Sequence, residues 1–243
     1  MATKKEEKLI LEPIKKTLIT ATLKGESDLI LNKKARSFEM AELWKQSHPK
    51  GSKMPEELAQ NYCIWEKLIT SIDWRDPIEF HDDDWTKYTE EEWRSYMENN
   101  APCINSQAIF GSMYEAFVSF GYKESTQKNG TDVKRGVSMT RHHFPIRFAE
   151  ARYEHKLIPN NSKSHTNVAG QYNVFTGWEC DIELVTADVA FPADTIIDLL
   201  FTTGEFIGIS TQRHNNYGRF TVENIKKTDI SGRGNKNNKL KED

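Results

Sequence analysis

A regular alternation of apolar and acidic residues over positions 177–186 most constrains the fold of this chain. Acidic residues separate its apolar members, which are Trp178, Cys180, Ile182 and Leu184. A period of two predicts a β-strand with one buried and one solvent-facing side. Residues 17–23 alternate apolar residues with threonines and predict a similar half-buried strand. We expect both strands in one antiparallel sheet whose helices cover a single face.

Further patterns predict two main helices and a closing pair of strands. An apolar stripe runs through residues 106–120, and a second helix begins at Pro192 and ends at Gly204. The closing strands are predicted at residues 206–210 and 219–225. With strand character also over residues 133–153, the order is strand, helix, strands, strand, helix, strand pair. This is the split βαβ order of a ferredoxin-like α+β domain, an antiparallel sheet with helices on one face and large insertions.

The insertions define the predicted domain organisation. We predict one elaborated domain over residues 1–225 and a disordered tail over residues 226–243, which are polar and rich in Gly, Asn and Lys. An insertion at residues 24–101 contains a helix that begins at Pro55. Residues 154–176 are predicted to form a protruding loop, since their centre is rich in turn-forming residues.

The distribution of charge permits a nucleic-acid partner. The net charge is −3, but residues 73–98 alone contain ten acidic and three basic residues, so the rest of the chain is basic. Within that segment we interpret the acidic run at residues 81–84 as a solvated loop, because consecutive residues rarely converge on one metal ion. Its three tryptophans, Trp74, Trp85 and Trp93, are candidate anchors for a partner.

Cysteine use and hydropathy favour a soluble cytoplasmic protein. Cys63, Cys103 and Cys180 are widely spaced and form no CxxC pair, so neither a disulfide framework nor a cysteine zinc site is supported. No apolar run is long enough to span a membrane. The chain also lacks the common hydrolase, nucleotide-binding and metalloprotease motifs. We expect no cofactor, no bound metal and no catalytic residues.

A polar loop between the last helix and the last strand carries the strongest functional signal. Its seven central residues are Arg213, His214, Asn215, Asn216, Tyr217, Gly218 and Arg219. Hydrogen-bond donors suit phosphates and an aromatic ring suits a base, which indicates a nucleic-acid contact. An ordinary hairpin is the alternative, because Asn, Gly and His are also good turn residues.

This loop resembles the glycine-rich loop of the RAMP superfamily, the ferredoxin-like RNA-binding proteins of CRISPR effector complexes. The matching residues are Gly204, Gly208, Arg213, Tyr217, Gly218, Arg219, Phe220 and Val222. The likeness is greatest to the backbone subunits that polymerise along a guide RNA, and it covers the C-terminal third and the first strand. Ser210 departs from the pattern, since such loops often have a further glycine there.

The resemblance implies a protein that binds single-stranded nucleic acid, RNA foremost, and assembles side by side along the strand. Its partners would be further copies of the chain or effector-complex subunits, and a phage or mobile-element origin fits. Gly208 and Gly218 would allow close approach to the strand. Arg213 and Arg219 would neutralise phosphates, with His214 beside them and Tyr217 stacking between bases.

Three basic residues before the long alternating strand would extend this site. Arg141, His143 and Arg147 concentrate around a predicted strand edge, where they are either phosphate contacts or an ordinary solvated strand end. Asp28 lies near the position where some RAMP backbone subunits place a target-cleaving aspartate. The rival hypothesis is a non-enzymatic viral assembly or host-system-inhibiting protein that binds its partner through the acidic, Trp-rich insertion.

Overall fold

The computed structural model describes residues 14–55, 63–81, 84–120, 133, 135–159 and 167–231. Its strands are β1 (Lys16–Gly25), β2 (Leu29–Leu31), β3 (Asp73–Trp74), β4 (Pro102–Asn105), β5 (Val137–Met139), β6 (His143–Arg147), β7 (Glu150–Pro159), β8 (Asn167–Thr176), β9 (Glu179–Ala187) and β10 (Phe220–Asp229). Its helices are α1 (Arg36–Ser47), α2 (Ile64–Thr70), α3 (Glu90–Asn99), α4 (Ser106–Ser119) and α5 (Ala193–Thr202). None of the helices in these ranges is long and apolar enough to cross a membrane.

The main sheet has a ferredoxin-like core. Strand β1 lies between β10 and β9 and pairs antiparallel with both, and β9 pairs antiparallel with β6. Along the chain, helix α4 lies between β1 and β6, and helix α5 lies between β9 and β10. Strands β1 and β6 are therefore parallel with β9 between them, and β9 and β10 are parallel with β1 between them. This is the split βαβ arrangement, so the predicted α+β ferredoxin-like class is confirmed.

One face of this sheet is buried and the other is open. Ile19 of β1 and Leu184 of β9 are fully buried and belong to one hydrophobic cluster with Met113 of α4 and Leu200 of α5. Because side chains alternate along a strand, the intervening residues point away from the helices. This opposite side, called the open face below, carries Thr20, Thr22, Lys24, Glu179, Asp181 and Glu183.

Residues 154–176, predicted as a protruding loop, lie largely in a β-hairpin. Strands β7 and β8 pair antiparallel along their whole length, and β2 pairs with the other edge of β8. Tyr172 and Val174 are buried against Ile30 of β2. The turn-rich composition is a local signal, whereas pairing with β2 is a long-range one that the composition does not reveal. Residues 160–166 lie outside the described ranges.

The three tryptophans of the acidic segment are core residues. Trp74, Trp85 and Trp93 are 8%, 5% and 2% exposed. The indole Nε1 of Trp93 donates to Asn173 Oδ1 at 2.8 Å. Helix α3 places three of its four glutamates in its first turn, where the helix dipole favours carboxylates, and turns Trp93 towards the core. The expectation that these rings anchor a partner is wrong, because the amphipathic helix needs its apolar side for the core. The rival interaction hypothesis thereby loses its anchors.

Two predicted boundaries also shift. Residues 226–229, assigned to the tail, belong to β10 and pair with residues 17–20 of β1. Polar side chains suit this edge strand, because its outward backbone groups and most of its side chains face water. Residues 232–243 lie outside the described ranges. So do residues 56–62 of the helix predicted from Pro55, and α2 follows them.

The last helix does not stop at Gly204. A π-helical turn, Thr203–Ile207, follows α5 directly, so the first predicted closing strand is not a strand. A Cβ atom at Gly204 would lie 2.1 Å from the carbonyl oxygen of Phe220. The absence of a side chain at Gly204 therefore allows β10 to pass close to the end of the helix.

Candidate nucleic-acid interface

The glycine-rich loop, residues 208–219, folds back on itself before β10. The amide of Ile209 donates to the carbonyl oxygen of Gly218 at 3.0 Å. Gly208 and Gly218 have φ angles of 78° and 72°, which glycine adopts without strain. A Cβ atom at Gly218 would lie 2.5 Å from the backbone nitrogen of Ser210. The loop's own closure therefore requires these glycines.

Hydrogen bonds hold the loop against the residues that follow β1. The amide of Gly218 donates to the carbonyl oxygen of Asp28 at 2.8 Å. Ser210 Oγ accepts from the amide of Ile30 at 3.3 Å and donates to the carbonyl oxygen of Ile30 at 3.0 Å. Ser210 is buried. The serine that departs from the RAMP pattern thus supplies a hydroxyl that a glycine lacks, and the loop is a firmly held platform.

The basic residues of the loop differ in their partners. Arg213 Nε lies 2.7 Å from Glu115 Oε2 of helix α4, and His214 Nδ1 lies 3.9 Å from Glu115 Oε1. Arg219 Nη2 donates to Asn216 Oδ1 at 3.1 Å, while its Nη1 is buried without a partner among the described residues. Partial burial lowers the pKa of Arg219 from its ordinary value. Arg213 is therefore compensated by a carboxylate, whereas Arg219 has no carboxylate partner among the described residues.

Tyr217 lies between the loop and the second sheet. Its ring packs against the buried cluster of Ile30, Tyr172 and Val174, and its side chain is half-buried. Part of the ring is thus committed to packing within the protein.

Cations near strand β6 lie over the carboxylates of β9. Arg147 Nη1 lies 2.6 Å from Asp181 Oδ2, and its Nη2 lies 3.3 Å from Glu179 Oε2. The hydrogen bond between Arg147 and Asp181 raises the pKa of the guanidinium and lowers the pKa of the carboxyl. Arg141 Nη2 lies 3.9 Å from Glu183 Oε1.

Arg147 lies at the same end of the sheet as the glycine-rich loop. It pairs across the strands with Glu179, which faces Lys24 of β1, which in turn faces Thr221 of β10. Thr221 is two residues from Arg219. The structure therefore brings Arg147 and the C-terminal end of the loop to the same end of the open face.

Arg141 and His143 are placed elsewhere. Arg141 stands beside Glu183, which faces Thr20 near the middle of β1. His143 Nε2 lies 3.8 Å from Asp73 Oδ1 of β3, on the far side of the sheet from β10. The two residues adjoin the open face but not the end that carries the loop.

A cavity of about 460 Å³ lies in the open face between these groups. Charged residues of both signs line it, namely Arg141, Asp181, Glu183 and Lys226. The carboxylates of β9 occupy the middle of the face and the cations flank them. Phosphates are repelled by nearby carboxylates, so a bound strand would follow the margin of the sheet rather than its centre.

Sequence reasoning missed the carboxylates that face these cations. The acids of β9 were visible as the polar members of the alternating strand, and the split βαβ order places β9 beside β6. Glu115 gave no such signal, because its contact with Arg213 joins residues 98 positions apart.

The other acidic candidates have structural partners. The carboxylate of Asp28 accepts hydrogen bonds from Arg152 Nη2 at 2.5 Å and from Thr176 Oγ1 at 3.1 Å. Asp84 Oδ1 accepts from the amide of Thr86 at 3.0 Å and caps a short 3₁₀ turn. Within the described ranges, no three His, Cys, Asp or Glu side chains converge as a metal site.

Comparison with known proteins identifies no family. No protein-family model matches the chain, and no curated protein matches it. One similar solved structure is the cryo-EM structure of the Type III-B Cmr-beta bound to cognate target RNA, with a TM-score of 0.43 and 11% sequence identity. The match covers 88% of this chain and 61% of that chain, so this chain spans less than two thirds of that length. The ferredoxin-like class rests on the strand order described above.

Proposed function

We propose that this protein binds single-stranded nucleic acid, RNA foremost, through the glycine-rich loop and the adjoining edge of the open face. The observation that carries the proposal is the grouping of cations at one end of the sheet. Arg219 ends the loop there, and the neighbouring strands add Arg147 and Lys24, whose Nζ lies 3.5 Å from Glu223 Oε1. Arg213 lies on the helix side of the same loop, where it pairs with Glu115 of α4. Cations grouped at one end of a sheet suit a phosphate backbone, which carries no sequence information.

The ion pair of the loop suits exchange with a phosphate. The side chains of Arg213 and Glu115 are 31% and 29% exposed. An ion pair near the surface contributes only about 0–1 kcal/mol. Arginine carries five donors, and Arg213 directs Nε at Glu115. A phosphate can therefore join or replace the carboxylate, and the firmly held loop loses little conformational entropy on binding.

The proposal includes assembly of several copies side by side along a strand. Assembly predicts that a long oligonucleotide binds more copies than a short one at the same nucleotide concentration. Mass photometry of the protein with 10-nucleotide and 40-nucleotide RNA measures this directly. One copy bound on both lengths would contradict assembly while leaving binding intact.

A double substitution tests the interface. Replacing Arg213 and Arg219 with Ala should weaken binding of a labelled oligonucleotide about tenfold and lower the salt slope by about 0.7 for each lost phosphate contact. The matched control replaces Arg75 and Arg94, which are exposed and paired with Asp76 and Glu90. Fluorescence anisotropy at several salt concentrations gives both quantities. Equal affinities of a folded loop variant and the wild type would exclude this loop.

A further inference from the structure

A second group of basic residues surrounds the C-terminal end of helix α1. The α1 cleft, as we call it, is a cavity of about 500 Å³ lined by Trp44, Lys45, His48, Pro49, Lys50, Gly51, Ser52 and Met54. A volume of this size is typical of a small-ligand site. Every charged residue in this lining is a lysine, so the cleft favours an anion.

Two lysines line the cleft, Lys45 and Lys50, and a third, Lys53, adjoins its lining residues Ser52 and Met54 in the sequence. Within the ranges that the structure describes, no carboxylate lies within ion-pair distance of Lys45, Lys50 or Lys53, whereas Lys33 and Lys34 pair with Asp73 and Glu42. A cation in the last turn of a helix is stabilised by the helix dipole, which accounts for Lys45. It does not account for Lys50 and Lys53, which follow the helix.

An aromatic pair forms one wall of the cleft. The rings of Trp44 and His48 stack with centroids 4.2 Å apart and an angle of 12° between their planes. His48 Nδ1 lies 2.9 Å from the carbonyl oxygen of Trp44. Because a carbonyl oxygen only accepts, this contact places the proton on Nδ1 and holds the ring in position. His48 is exposed, so the pair offers a flat surface on which a base can stack.

The backbone beside the stack is accessible. Gly51 has a φ angle of 96°, and a Cβ atom there would meet nothing within 4 Å. The amide of Ser52 donates to the carbonyl oxygen of Pro49 at 3.1 Å, which closes a turn. The chain is therefore turned and uncrowded where Lys50 and Lys53 flank it, and a phosphate can approach closely.

We propose that the α1 cleft binds one nucleotide unit of a single strand, with the base against the His48–Trp44 stack and the phosphate at Lys50 and Lys53. The inference extends the proposed function to a second contact point and rests on it for the source of the nucleotide. The shared chemistry is an aromatic base that carries a phosphate. A free nucleotide is the other source, and the experiment separates the two.

The test uses two variants of the full chain, each with substitutions at exposed side chains. Lys50→Ala with Lys53→Ala removes the phosphate contacts, and His48→Ala removes the outer ring of the stack. Each should weaken binding of a labelled 10-nucleotide oligonucleotide at least about fivefold, since one stacked base contributes about 1–3 kcal/mol. The double lysine variant should also lower the salt slope by about 0.7 for each lost contact. The matched control is Lys33→Ala with Lys34→Ala, which changes the charge equally but removes lysines that are already paired.

Several outcomes overturn the inference. Wild-type affinity in both folded cleft variants excludes the site, and an equal loss in the control shows a net-charge effect only. Adenosine monophosphate that binds as tightly as the oligonucleotide indicates a free-nucleotide site. Polyglutamate that competes as well as the oligonucleotide, with no effect of His48→Ala, indicates a site for acidic protein.

The loop variant keeps the two proposals distinguishable. If Arg213→Ala with Arg219→Ala abolishes binding while the cleft variants bind as wild type, the cleft inference fails and the proposed function stands. If only the cleft variants lose binding, the loop interface fails and the cleft stands. Circular dichroism and thermal unfolding of every variant confirm that the comparison is made on folded protein.

Discussion

The glycine-rich loop and the α1 cleft both combine cations with an aromatic ring, yet their interactions are satisfied to different degrees. In the loop, Arg213 pairs with Glu115 and the loop's own backbone fills the space beside Gly218. In the cleft, Lys50 has no carboxylate partner in the described ranges, and the space beside Gly51 is free. A compensated cation shares or exchanges its partner when it binds a phosphate, whereas an uncompensated one binds directly. The glycine-rich loop, which has the stronger sequence motif, thus has more of its interactions satisfied within the protein than the α1 cleft has.

The largest expected difference concerns the two glycines. Gly218→Ala should lower the free energy of unfolding by about 3 kcal/mol, because it adds a backbone clash to an unfavourable positive φ. Gly51→Ala has the φ penalty alone and should cost about 1 kcal/mol. Chemical denaturation measures both. Equal losses would contradict the contrast between a closed loop and an open turn.

A smaller difference is expected for two serines. Ser210→Ala should cost about 1–3 kcal/mol, because it removes the hydroxyl that accepts from the buried amide of Ile30. Ser52→Ala, in the exposed turn of the cleft, should stay within about 0.5 kcal/mol of the wild type. The shift in the midpoint of urea unfolding measures the loss of stability in each variant. A loss at position 52 as large as that at position 210 would mean that the cleft is as firmly held as the loop.

The smallest expected effect is on affinity. Glu115→Gln should strengthen oligonucleotide binding about two- to fivefold at low salt, because it releases Arg213 from an ion pair of modest strength. The control Glu90→Gln releases Arg94, which lies in neither region, and should change affinity less than about twofold. Anisotropy titrations at low and high salt give the comparison. Weaker binding by Glu115→Gln would show instead that the carboxylate positions Arg213 for the strand.

Much of the ferredoxin-like core follows from periodicity. Strands β1 and β9 match the alternation over residues 17–23 and 177–186, and α4 matches the stripe over residues 106–120. Strand β10 begins one residue from its predicted start at residue 219. These elements are predictable because one face of each must be apolar, and the period of that face is a property of the backbone. The candidate loop was found for a similar reason, since its donors are consecutive in sequence.

Long-range contacts account for what periodicity missed. Helix α3 follows an acidic run, yet the ring of Trp93 is buried against Trp65 and Tyr153. Asn173, on a distant strand, accepts its indole hydrogen. The hairpin of β7 and β8 depends on β2 for one of its edges. Composition describes what a segment prefers in water, and here burial against another segment outweighed that preference.

By itself, the sequence determined the main strands and helices of the ferredoxin-like core, the open face of the sheet and the position of the glycine-rich loop, because each depends on local side-chain pattern. Only the tertiary structure decided which cations are neutralised and which are not. Which elements lie within a few ångströms after folding decides that Arg213 pairs with Glu115. It also decides that no carboxylate of the described ranges pairs with Lys50 or Lys53. Electrostatic attraction falls with distance in space and takes no account of separation along the chain.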